Sequence, residues 1–554
     1  MSNPKHNFFL ITGMLFFAAV VLTLPIYYFG MPSGNDLPQH FRFIHTFYDA
    51  VHAGEIYPVW PGETNLGFGD IGIRFYPPVA YYAVVLFRSF TDSWTTAISA
   101  AICFWFFTGG LGTFLLSRES FSDRASAIAS IVFMAMPYHA NQIYNAGLFA
   151  EFAGLAILPY CFLFVRRTVL TGRTTDIAAL SVAYALLILT HLPLAIIGSV
   201  ALLIYALALI EKKSLGSTIM KLASAVTASI IASAFYWVRM VSELSLVNHS
   251  GPAFTDRTYD FHQNFLGSIL YFPSGVYGET SLWFTDLLFG ITLAMIIPSV
   301  IVIYLCGSKK REIFPFLAVL AGAIFFSTPL STWLWEHLEL LRKIQFPWRI
   351  LGLISLAGSV LIAGGIDQLS VIFITRLRPF GIVAAGLIIA GVVFTTAQVI
   401  KPADYSPRAE FDDHFDAYRA DESYECWWPV WAKRGAFANH EKVTSNFREV
   451  ENLEWTGADR TFVLGPGEEE KVRVATFYYP FWRATANGEN VAVASDEDGT
   501  LTLSVPGGRS TVRLFFEQPF YETVAGFSSL IAWLFLVSVL AVGHAARLKQ
   551  RELI

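Results

Sequence analysis

The sequence is poor in charge, and this defines its broad class. Only 15% of its 554 residues are charged, whereas 54% are hydrophobic. Soluble globular proteins carry about 25% charged residues, so a soluble globular protein is excluded. The net charge of −5 is small and no basic cluster is present, which argues against nucleic-acid binding because such proteins carry a basic patch. The composition is that of a polytopic membrane protein.

Cysteine is also scarce. Of the four cysteines, Cys103, Cys161 and Cys306 lie in apolar runs, and Cys426 alone lies in a polar segment. We therefore expect no intrachain disulfide, and the spacing matches no metal site. The N-terminal apolar stretch is too long for the core of a signal peptide and lacks an A-x-A-like end, so we expect it to be an uncleaved first helix.

Long apolar runs are abundant. A run of about 18 residues or more is typical of a transmembrane helix. The stretch 177–210 is broken only by His191 and as one helix would be about 50 Å long, against a hydrocarbon core of about 30 Å. It should therefore fold into two short helices with a turn at "THLP", 190–193. The twelve predicted crossings are 8–30, 94–117, 124–139, 147–165, 176–190, 193–210, 218–239, 283–306, 313–330, 349–367, 380–400 and 526–545.

Basic residues in short loops predict the orientation, because such loops stay in the cytoplasm. Twelve crossings with a cytoplasmic N-terminus place every positive loop inside. Counting 79–87 as a crossing would put most of these loops outside, so we expect 37–53 and 77–90 to be helices at the outer surface. The positive loops are 117–124, 166–173, 211–213, 308–312, 374–378 and 547–551, and the external segments are 31–93, 140–146, 240–282, 331–348 and 401–525.

The polar block 401–525 has a different character. It contains period-two stretches such as "KVRVATFYY" and a type I′ hairpin signal at Asn487-Gly488. The predicted fold is an α-helical polytopic membrane protein with an extracytoplasmic β-sandwich domain near the C-terminus. The predicted domains are a transmembrane domain over 1–400 with the external first loop 31–93, the β-rich domain over 401–525, and a final helix with a cytoplasmic tail over 526–554.

Ionisable residues are rare in the predicted helices and collect near their outer ends. Charge in hydrocarbon is costly and usually marks function. The first external loop opens with "GNDLPQHFRF", 34–43, which places Asp36 and His40 four residues apart. One interpretation is structural, with Asp36 as the N-cap of a surface helix and His40 solvated. The Gly-, Pro- and aromatic-rich continuation over 52–82 favours a functional one.

This loop resembles a known superfamily. An acid after the first helix, a His four residues on, and then "G-x-x-Y-P-x-W", "G-x-G" and "F-Y-P-P-x-x-Y-Y" are similar to the first external loop of GT-C glycosyltransferases. More narrowly, the chain resembles the "6-pyruvoyl-tetrahydropterin synthase-related, membrane domain" family and the YfhO-like proteins, both bacterial. Further matching segments are "YNAGLFAEFAGLAILP" (144–159), "THLP" (190–193), "QFPWRILG" (345–352), "ESYECWWPVW" (422–431) and "YYPFWRATANGENVAV" (478–493).

The resemblance implies catalytic roles. Asp36 matches the essential first-loop acid, which acts as general base or metal ligand, and His40 could share its task. Glu151 is the nearest candidate for a second acid, and its structural alternative is an acid stabilised by a helix N-terminus. Asp36 and Glu151 would be the ligands if a divalent metal, Mg²⁺ or Mn²⁺, is used. No DxD pair is present, so the metal stays an open question.

A lipid phosphate needs cationic partners at headgroup depth. Arg349 in "FPWR" is the first candidate because arginine binds phosphate in a fork, although a Trp-Arg pair can also anchor a helix at the interface. Arg342 and Lys343 precede it by one to two turns. His191 is a further candidate, with stabilisation of its turn as the alternative, and Arg74 is another unless it pairs with Asp70 inside the loop.

Three functions remain open. The first is a glycosyltransferase of the bacterial inner membrane, with both termini cytoplasmic, that moves a sugar from a polyprenyl-phosphate donor to an extracytoplasmic glycan, lipid or protein. The second is a transporter or flippase of polyprenyl-linked glycans, which would predict ionisable groups at mid-depth and inverted repeats. The third is a non-catalytic GT-C-like scaffold. Membrane lipid, the lipid-linked donor and the acceptor are the expected partners; nucleic acid is not.

Overall fold

A computed structural model describes residues 4–250, 260–267, 282–306, 310–373, 390–391, 393–401 and 403–552. Helices dominate up to residue 401, and residues 390–391 and 393–400 are helical in addition to the elements named here. The helices are α1 (Pro4–Phe29), α2 (Leu37–His52), α3 (Val79–Arg88), α4 (Trp94–Ser117), α5 (Asp123–Met134), α6 (Pro137–Tyr144), α7 (Phe149–Thr171), α8 (Thr174–Ile188), α9 (Leu192–Leu209), α10 (Leu215–Ala232), α11 (Ala234–Glu243), α12 (Leu282–Cys306), α13 (Lys310–Ser327), α14 (Thr332–His337), α15 (Glu339–Arg342), α16 (Leu351–Phe373), α17 (Arg408–His414) and α18 (Phe520–Glu552).

Membrane-spanning helices make up the first part of the chain. Among the described residues, eight helices are long and apolar enough to cross a bilayer, and a ninth span would join α13 to the segment Pro329–His337 across an 83° bend. The run predicted over 124–139 forms α5, of 12 residues, and the run over 176–190 forms α8, of 15 residues. The run over 380–400 lies partly outside the described residues, so the count of twelve stays a prediction.

The predicted break in the 177–210 run is present. α8 ends at Ile188 and α9 begins at Leu192, with Pro193 in its first turn. The His191 Nδ1 accepts a hydrogen bond from the Leu194 amide at 3.2 Å, which caps α9. The predicted turn at "THLP" is therefore confirmed.

The two surface helices predicted in the first external loop are also present, as α2 and α3. The apolar face of α2 buries Phe41 and Phe47. Phe41 packs on Phe411 with ring centroids 4.9 Å apart, and Phe47 stacks on Tyr81 at 5.3 Å. α2 is thus held between α3 and the polar block that follows the membrane helices.

The polar block forms the predicted β-rich domain in its second half. One sheet has the order β3-β6-β10-β9 and the other β4-β5-β11-β7-β8. The Asn487-Gly488 turn joins β7 to β8 with φ of 52° and 87°, as a type I′ turn requires. The strands that follow β1 (Met31–Pro32) and β2 (Tyr405–Ser406) are β3 (Val443–Thr444), β4 (Val450–Trp455), β5 (Asp459–Leu464), β6 (Glu470–Phe477), β7 (Trp482–Ala486), β8 (Glu489–Val491), β9 (Val493–Ser495), β10 (Thr500–Val505) and β11 (Ser510–Phe516).

The first external loop packs against both parts of the chain. β1 pairs with β2 directly after α1. Trp60 is buried against Trp482, with ring centroids 5.3 Å apart, and Phe68 packs on Phe477 at 5.5 Å. The loop is therefore enclosed between the membrane helices and the β-domain, and this fixes where its polar residues lie.

Candidate active site

Residues far apart in sequence line one cavity of about 190 Å³. Its walls come from the start of α2, the start of α7, the α8–α9 turn, the residues before α16, and a segment of the polar block. The lining residues are Asp36, Gln39, His40, Tyr76, Leu148, Ala150, Glu151, His191, His249, Gln345, Phe346, Arg349, Tyr424, Cys426 and Trp427. Five residues predicted for the site from the sequence are among them.

Asp36 is placed by close backbone packing. The Asp36 amide lies 3.5 Å from the Ala146 carbonyl. Gly147 has a φ of +68°, and a Cβ there would lie 2.9 Å from the Asp36 nitrogen. Gly34 packs as tightly, since its Cβ would lie 2.1 Å from the Asn145 carbonyl oxygen. Two glycines thus let the start of α2 lie against the turn that leads into α7.

The carboxylate of Asp36 does not cap α2. Asp36 stands at the N-cap position, but its side chain makes no capping hydrogen bond, so the capping interpretation of the sequence is wrong. The side chain is half-buried and lines the cavity instead. Burial raises the pKa of this carboxyl above its ordinary value, and the nearby Arg349 charge offsets part of the rise.

Glu151 is the most enclosed acid of the cavity, with 1% of its surface exposed. Its Oε1 accepts hydrogen bonds from the Tyr138 hydroxyl at 2.6 Å and from the Gln142 amide at 3.0 Å. Its Oε2 lies 3.1 Å from the Arg349 Nε. Glu151 also lies in the first turn of α7, where a helix N-terminus stabilises an acid. Its position is therefore consistent with both the catalytic and the structural interpretation.

Arg349 is held in a fixed orientation. Its Nη1 donates to the Ile344 carbonyl at 2.9 Å, its Nε faces Glu151, and its guanidinium lies over the Phe346 ring at 4.9 Å. Within the described part of the chain no partner is assigned to its Nη2. One arginine therefore lies beside Glu151 and within electrostatic reach of Asp36, with a nitrogen left for a ligand.

The two predicted histidines are neutral donors or acceptors here. His40 shares a 2.8 Å hydrogen bond with the Tyr81 hydroxyl through Nδ1, and burial lowers its pKa to about 3. His191 accepts at Nδ1 from the backbone, so its hydrogen is on Nε2. It therefore both stabilises the turn and lines the cavity.

Four helices begin at the cavity, and this shapes its potential. α2, α7, α9 and α16 start within two residues of Asp36, Glu151, His191 and Arg349. A helix N-terminus carries about half a positive charge and favours anions. The positive ends of these helix dipoles add to the charge of Arg349 and offset part of the negative charge of Asp36 and Glu151. The cavity can therefore accept an anionic ligand.

Arg74 lies elsewhere, contrary to its predicted role. Its guanidinium is fully buried and donates to Glu243 at 2.9 Å and 2.6 Å. It also pairs with Glu522, which in turn pairs with Arg239. The expected Arg74–Asp70 pair is absent as well, since Asp70 accepts from the Gly72 amide at 2.7 Å. Arg74 thus joins the first loop to α11 and α18 through its ion pairs with Glu243 and Glu522.

Arg342 and Lys343 are exposed and do not line the cavity. Lys343 pairs with Glu339 at 3.1 Å on the surface of α15. The residues that sequence reasoning missed are mostly neutral, and Gln39, Tyr424 and Trp427 are examples. The segments 345–352 and 422–431 had been singled out by resemblance, but only the fold brings both to the same cavity as Asp36.

The side chains do not fit the divalent metal considered from the sequence. The described residues contain no group of three or more His, Cys, Asp or Glu placed to hold a metal ion. Both oxygens of Glu151 already face Tyr138, Gln142 or Arg349.

A family model matches more than half of the chain, residues 73–397. Its description is "6-pyruvoyl-tetrahydropterin synthase related domain; membrane protein". The chain belongs to this family. The matched region of this 6-pyruvoyl-tetrahydropterin synthase related membrane protein includes Glu151, His191 and Arg349, whereas Asp36 and His40 precede it.

A search of curated proteins gave no match. Among solved structures, ArnT from Cupriavidus metallidurans bound to undecaprenyl phosphate is 15% identical, with a TM-score of 0.43, over 76% of this chain and 70% of that one. Arabinofuranosyltransferase AftD from Mycobacteria is 14% identical, with a TM-score of 0.44, over 70% and 26%. The Archaeoglobus fulgidus oligosaccharyltransferase, tethered with an acceptor peptide, is 14% identical, with a TM-score of 0.41, over 76% and 60%. The chain spans less than two thirds of the latter two, and all three are GT-C glycosyltransferases.

Proposed function

We propose that the protein is a membrane glycosyltransferase that moves a sugar from a polyprenyl-phosphate donor to an acceptor outside the cytoplasm. The observation that carries this proposal is the cavity itself. It holds a half-buried carboxylate, Asp36, within electrostatic reach of a fixed arginine, Arg349, at the ends of membrane helices. Sugar transfer from a lipid phosphate needs a base for the acceptor hydroxyl and a cation for the departing phosphate.

Arg349 is the phosphate ligand in this proposal. Among the described residues its Nη2 has no hydrogen-bond partner, its Nη1 is held by the Ile344 carbonyl, and its Nε lies in an ion pair with Glu151 that forms no hydrogen bond. The N-termini of helices surround it. An arginine–phosphate hydrogen bond is charge-assisted and about twice as strong as a neutral one. The arginine would stabilise the phosphate both in the bound donor and as it leaves with negative charge.

Asp36 is the general base. The acceptor hydroxyl oxygen attacks the anomeric carbon and its proton passes to the Asp36 carboxylate. The bond between the anomeric carbon and the phosphate oxygen breaks, and the polyprenyl phosphate leaves with the electron pair beside Arg349. A carboxylate whose pKa is raised by burial is a stronger base for this step than an ordinary Asp.

A narrow apolar groove, with only about 20 Å³ of free volume, is the place proposed for the lipid chain of the donor, which would have to widen it to enter. It runs between α9, α13 and α16 and is lined by side chains such as Ile197, Ile204 and Phe326. Ile344 and Ile350 belong to the same groove and flank Arg349 in sequence. A prenyl chain in this groove would place its phosphate at Arg349.

We further propose the bacterial inner membrane as the location of the protein.

The test is turnover of lipid-linked donors by the purified protein in nanodiscs. Polyprenyl phosphates carrying single hexoses or pentoses are supplied, and release of polyprenyl phosphate is followed with and without added glycan, lipid or peptide acceptors. The proposal expects release with at least one donor and its loss in the Asp36→Asn variant. Lack of release with every donor would contradict it and favour a scaffold. Addition of EDTA should leave the rate unchanged, because the described residues place no set of metal ligands at the cavity.

A further inference from the structure

Gln39 is a polar residue of the cavity that the proposed reaction does not use. Only 2% of its surface is exposed, and it lines the cavity beside Asp36. Its amide nitrogen has no hydrogen-bond partner among the described residues. A buried polar group without a partner is costly, by about 1–3 kcal/mol, and such a group at a cavity wall indicates that a ligand supplies the partner.

Arg42 fixes which way the Gln39 amide points. Its Nε donates to the Gln39 Oε1 at 3.1 Å, and its Nη2 donates to the same oxygen. A guanidinium has donors only, so the oxygen of the amide must face Arg42 and the nitrogen must face away. Arg42 is itself 7% exposed, and its charge strengthens the amide as a donor because hydrogen bonds in series polarise one another.

Asp36 is the N-cap residue of α2, and Gln39 lies in the first turn of that helix. They are three residues apart, and residues at this spacing are neighbours on a helix surface, about 5–6 Å apart at Cβ. One side chain accepts hydrogen bonds and the other donates them. A pair of this kind matches two adjacent hydroxyl groups, of which one gives its proton to the carboxylate and the next accepts from the amide.

We propose that Gln39, oriented by Arg42, selects a carbohydrate acceptor by donating a hydrogen bond to the hydroxyl oxygen next to the attacking hydroxyl. The inference deepens the proposed function and rests on it for the role of Asp36. It names the acceptor class as a sugar with a vicinal diol. Gln39 is then a specificity-determining residue, and Arg42 is its positioning residue.

The first measurement is binding without turnover. Saturation-transfer NMR with methyl glycosides, and with their deoxy analogues at each ring position, gives dissociation constants for the full-length protein in detergent. Gln39→Glu is the informative variant, because a carboxylate still accepts from Arg42 but cannot donate to a ligand. Gln518→Glu is the matched control, since Gln518 is exposed on the connection from the β-domain to α18.

We expect Gln39→Glu to weaken binding of a methyl glycoside about tenfold, the scale of one lost hydrogen bond, and Gln518→Glu to leave it unchanged. One deoxy analogue should bind wild type about tenfold more weakly and lose nothing further in Gln39→Glu, since both changes remove the same hydrogen bond. Equal binding by wild type and Gln39→Glu would overturn the inference, as would lack of binding of every glycoside to wild type.

The two proposals fail differently. Gln39-dependent glycoside binding without release of polyprenyl phosphate from any donor would remove the transferase and keep carbohydrate recognition by Gln39. Donor turnover that is the same in wild type and in Gln39→Glu, with saccharide acceptors, would keep the transferase and remove Gln39 from acceptor selection.

Arg42→Met should raise KM for the acceptor more than it lowers kcat, because the substitution frees the Gln39 amide to rotate.

Discussion

At the scale of single residues, Asp36 acts through its charge in this account. Its side chain makes no cap hydrogen bond, so removing the carboxylate should cost less than the roughly 1 kcal/mol of a lost cap. We predict that Asp36→Asn and Asp36→Ala both keep the melting temperature of wild type, while transfer falls by about 10²-fold or more, the scale of lost general-base catalysis. Thermal unfolding and donor turnover on the same preparations check this.

The serine cap of α4 provides a control for the stability part. Ser93 accepts from the Thr96 amide at 3.1 Å, so Ser93→Ala should show the stability loss that the Asp36 variants lack. If Asp36→Ala is destabilised as much as Ser93→Ala and turnover per folded molecule is normal, Asp36 is a structural residue.

Arg349 affects the pH dependence of the transfer rate on its acid side, where the rate rises as Asp36 ionises. Asp36 must be ionised to accept a proton, so the rate rises with pH through its pKa. Burial raises that pKa and Arg349 lowers it in part; without the arginine the pKa rises further. We predict that Arg349→Gln, beside its lower rate, moves the acid limb to higher pH. A pH profile of kcat/KM measures this, and an unchanged midpoint would show that Arg349 does not act on the base.

Single residues also show where sequence reasoning succeeds and where it fails. The resemblance to GT-C first loops and the cost of charge at a membrane boundary singled out Asp36, Glu151 and Arg349, and the fold brings all three to one cavity; their roles stay predictions. Arg74 could not be assigned, because its partners lie 169 and 448 residues away. Gln39 carries no charge, and its role depends on a neighbour and a cavity that only the fold provides.

At the scale of elements, the buried ion cluster joins the first loop, α11 and α18. Removing one member of a buried ion pair leaves an uncompensated charge and costs about 3–5 kcal/mol. We predict that Arg74→Met lowers the melting temperature strongly, whereas turnover per folded molecule stays at the wild-type level because Arg74 lies outside the cavity. Thermal unfolding and turnover check the two parts.

The matched control is Arg483→Met, which removes an exposed pair with Glu517 at 2.9 Å and should cost at most about 1 kcal/mol. A stable Arg74→Met protein that turns over no donor would restore the substrate-binding role predicted from the sequence.

The break between α8 and α9 shows what element lengths can predict, since it followed from the thickness of a bilayer. The length of α5 could not be predicted in this way, because an apolar run does not reveal where a helix ends inside it.

At the scale of the whole molecule, the cavity and two of the basic loops, 117–124 and 166–173, lie at opposite ends of the described helices. α7 starts at the cavity and has 23 residues, so its other end is about 35 Å away. At that far end Arg167 pairs with Glu119 at 2.6 Å, which joins two of the basic loops. The proposed site is thus separated from these two loops by about the thickness of a bilayer core.

Thiol labelling in intact cells tests this orientation. We predict that a cysteine introduced at 211–213 or 308–312 is shielded from a membrane-impermeant maleimide, while one at 440 is labelled, with Cys426 replaced beforehand. Permeabilised cells, in which all positions should react, are the control. Labelling of 211–213 from outside would place the cavity in the cytoplasm and contradict the proposed donor geometry.

The β-domain was the most predictable large feature, because period-two stretches and Asn487-Gly488 specify strands and a turn locally. Its contact with the first loop through Trp60 and Trp482 could not be predicted, since it joins segments more than 400 residues apart. The contact packs the β-domain on the first loop, and Tyr424 and Trp427, which precede that domain in the polar block, line the cavity.

The most direct test of the central claim is a structure of the protein with a short-chain polyprenyl phosphate. We expect the phosphate in the cavity, with an oxygen about 2.7–2.9 Å from the Arg349 Nη2, and the prenyl chain in the groove between α9 and α13. Phosphate bound instead at the exposed Arg342 and Lys343, with the cavity unoccupied, would contradict it.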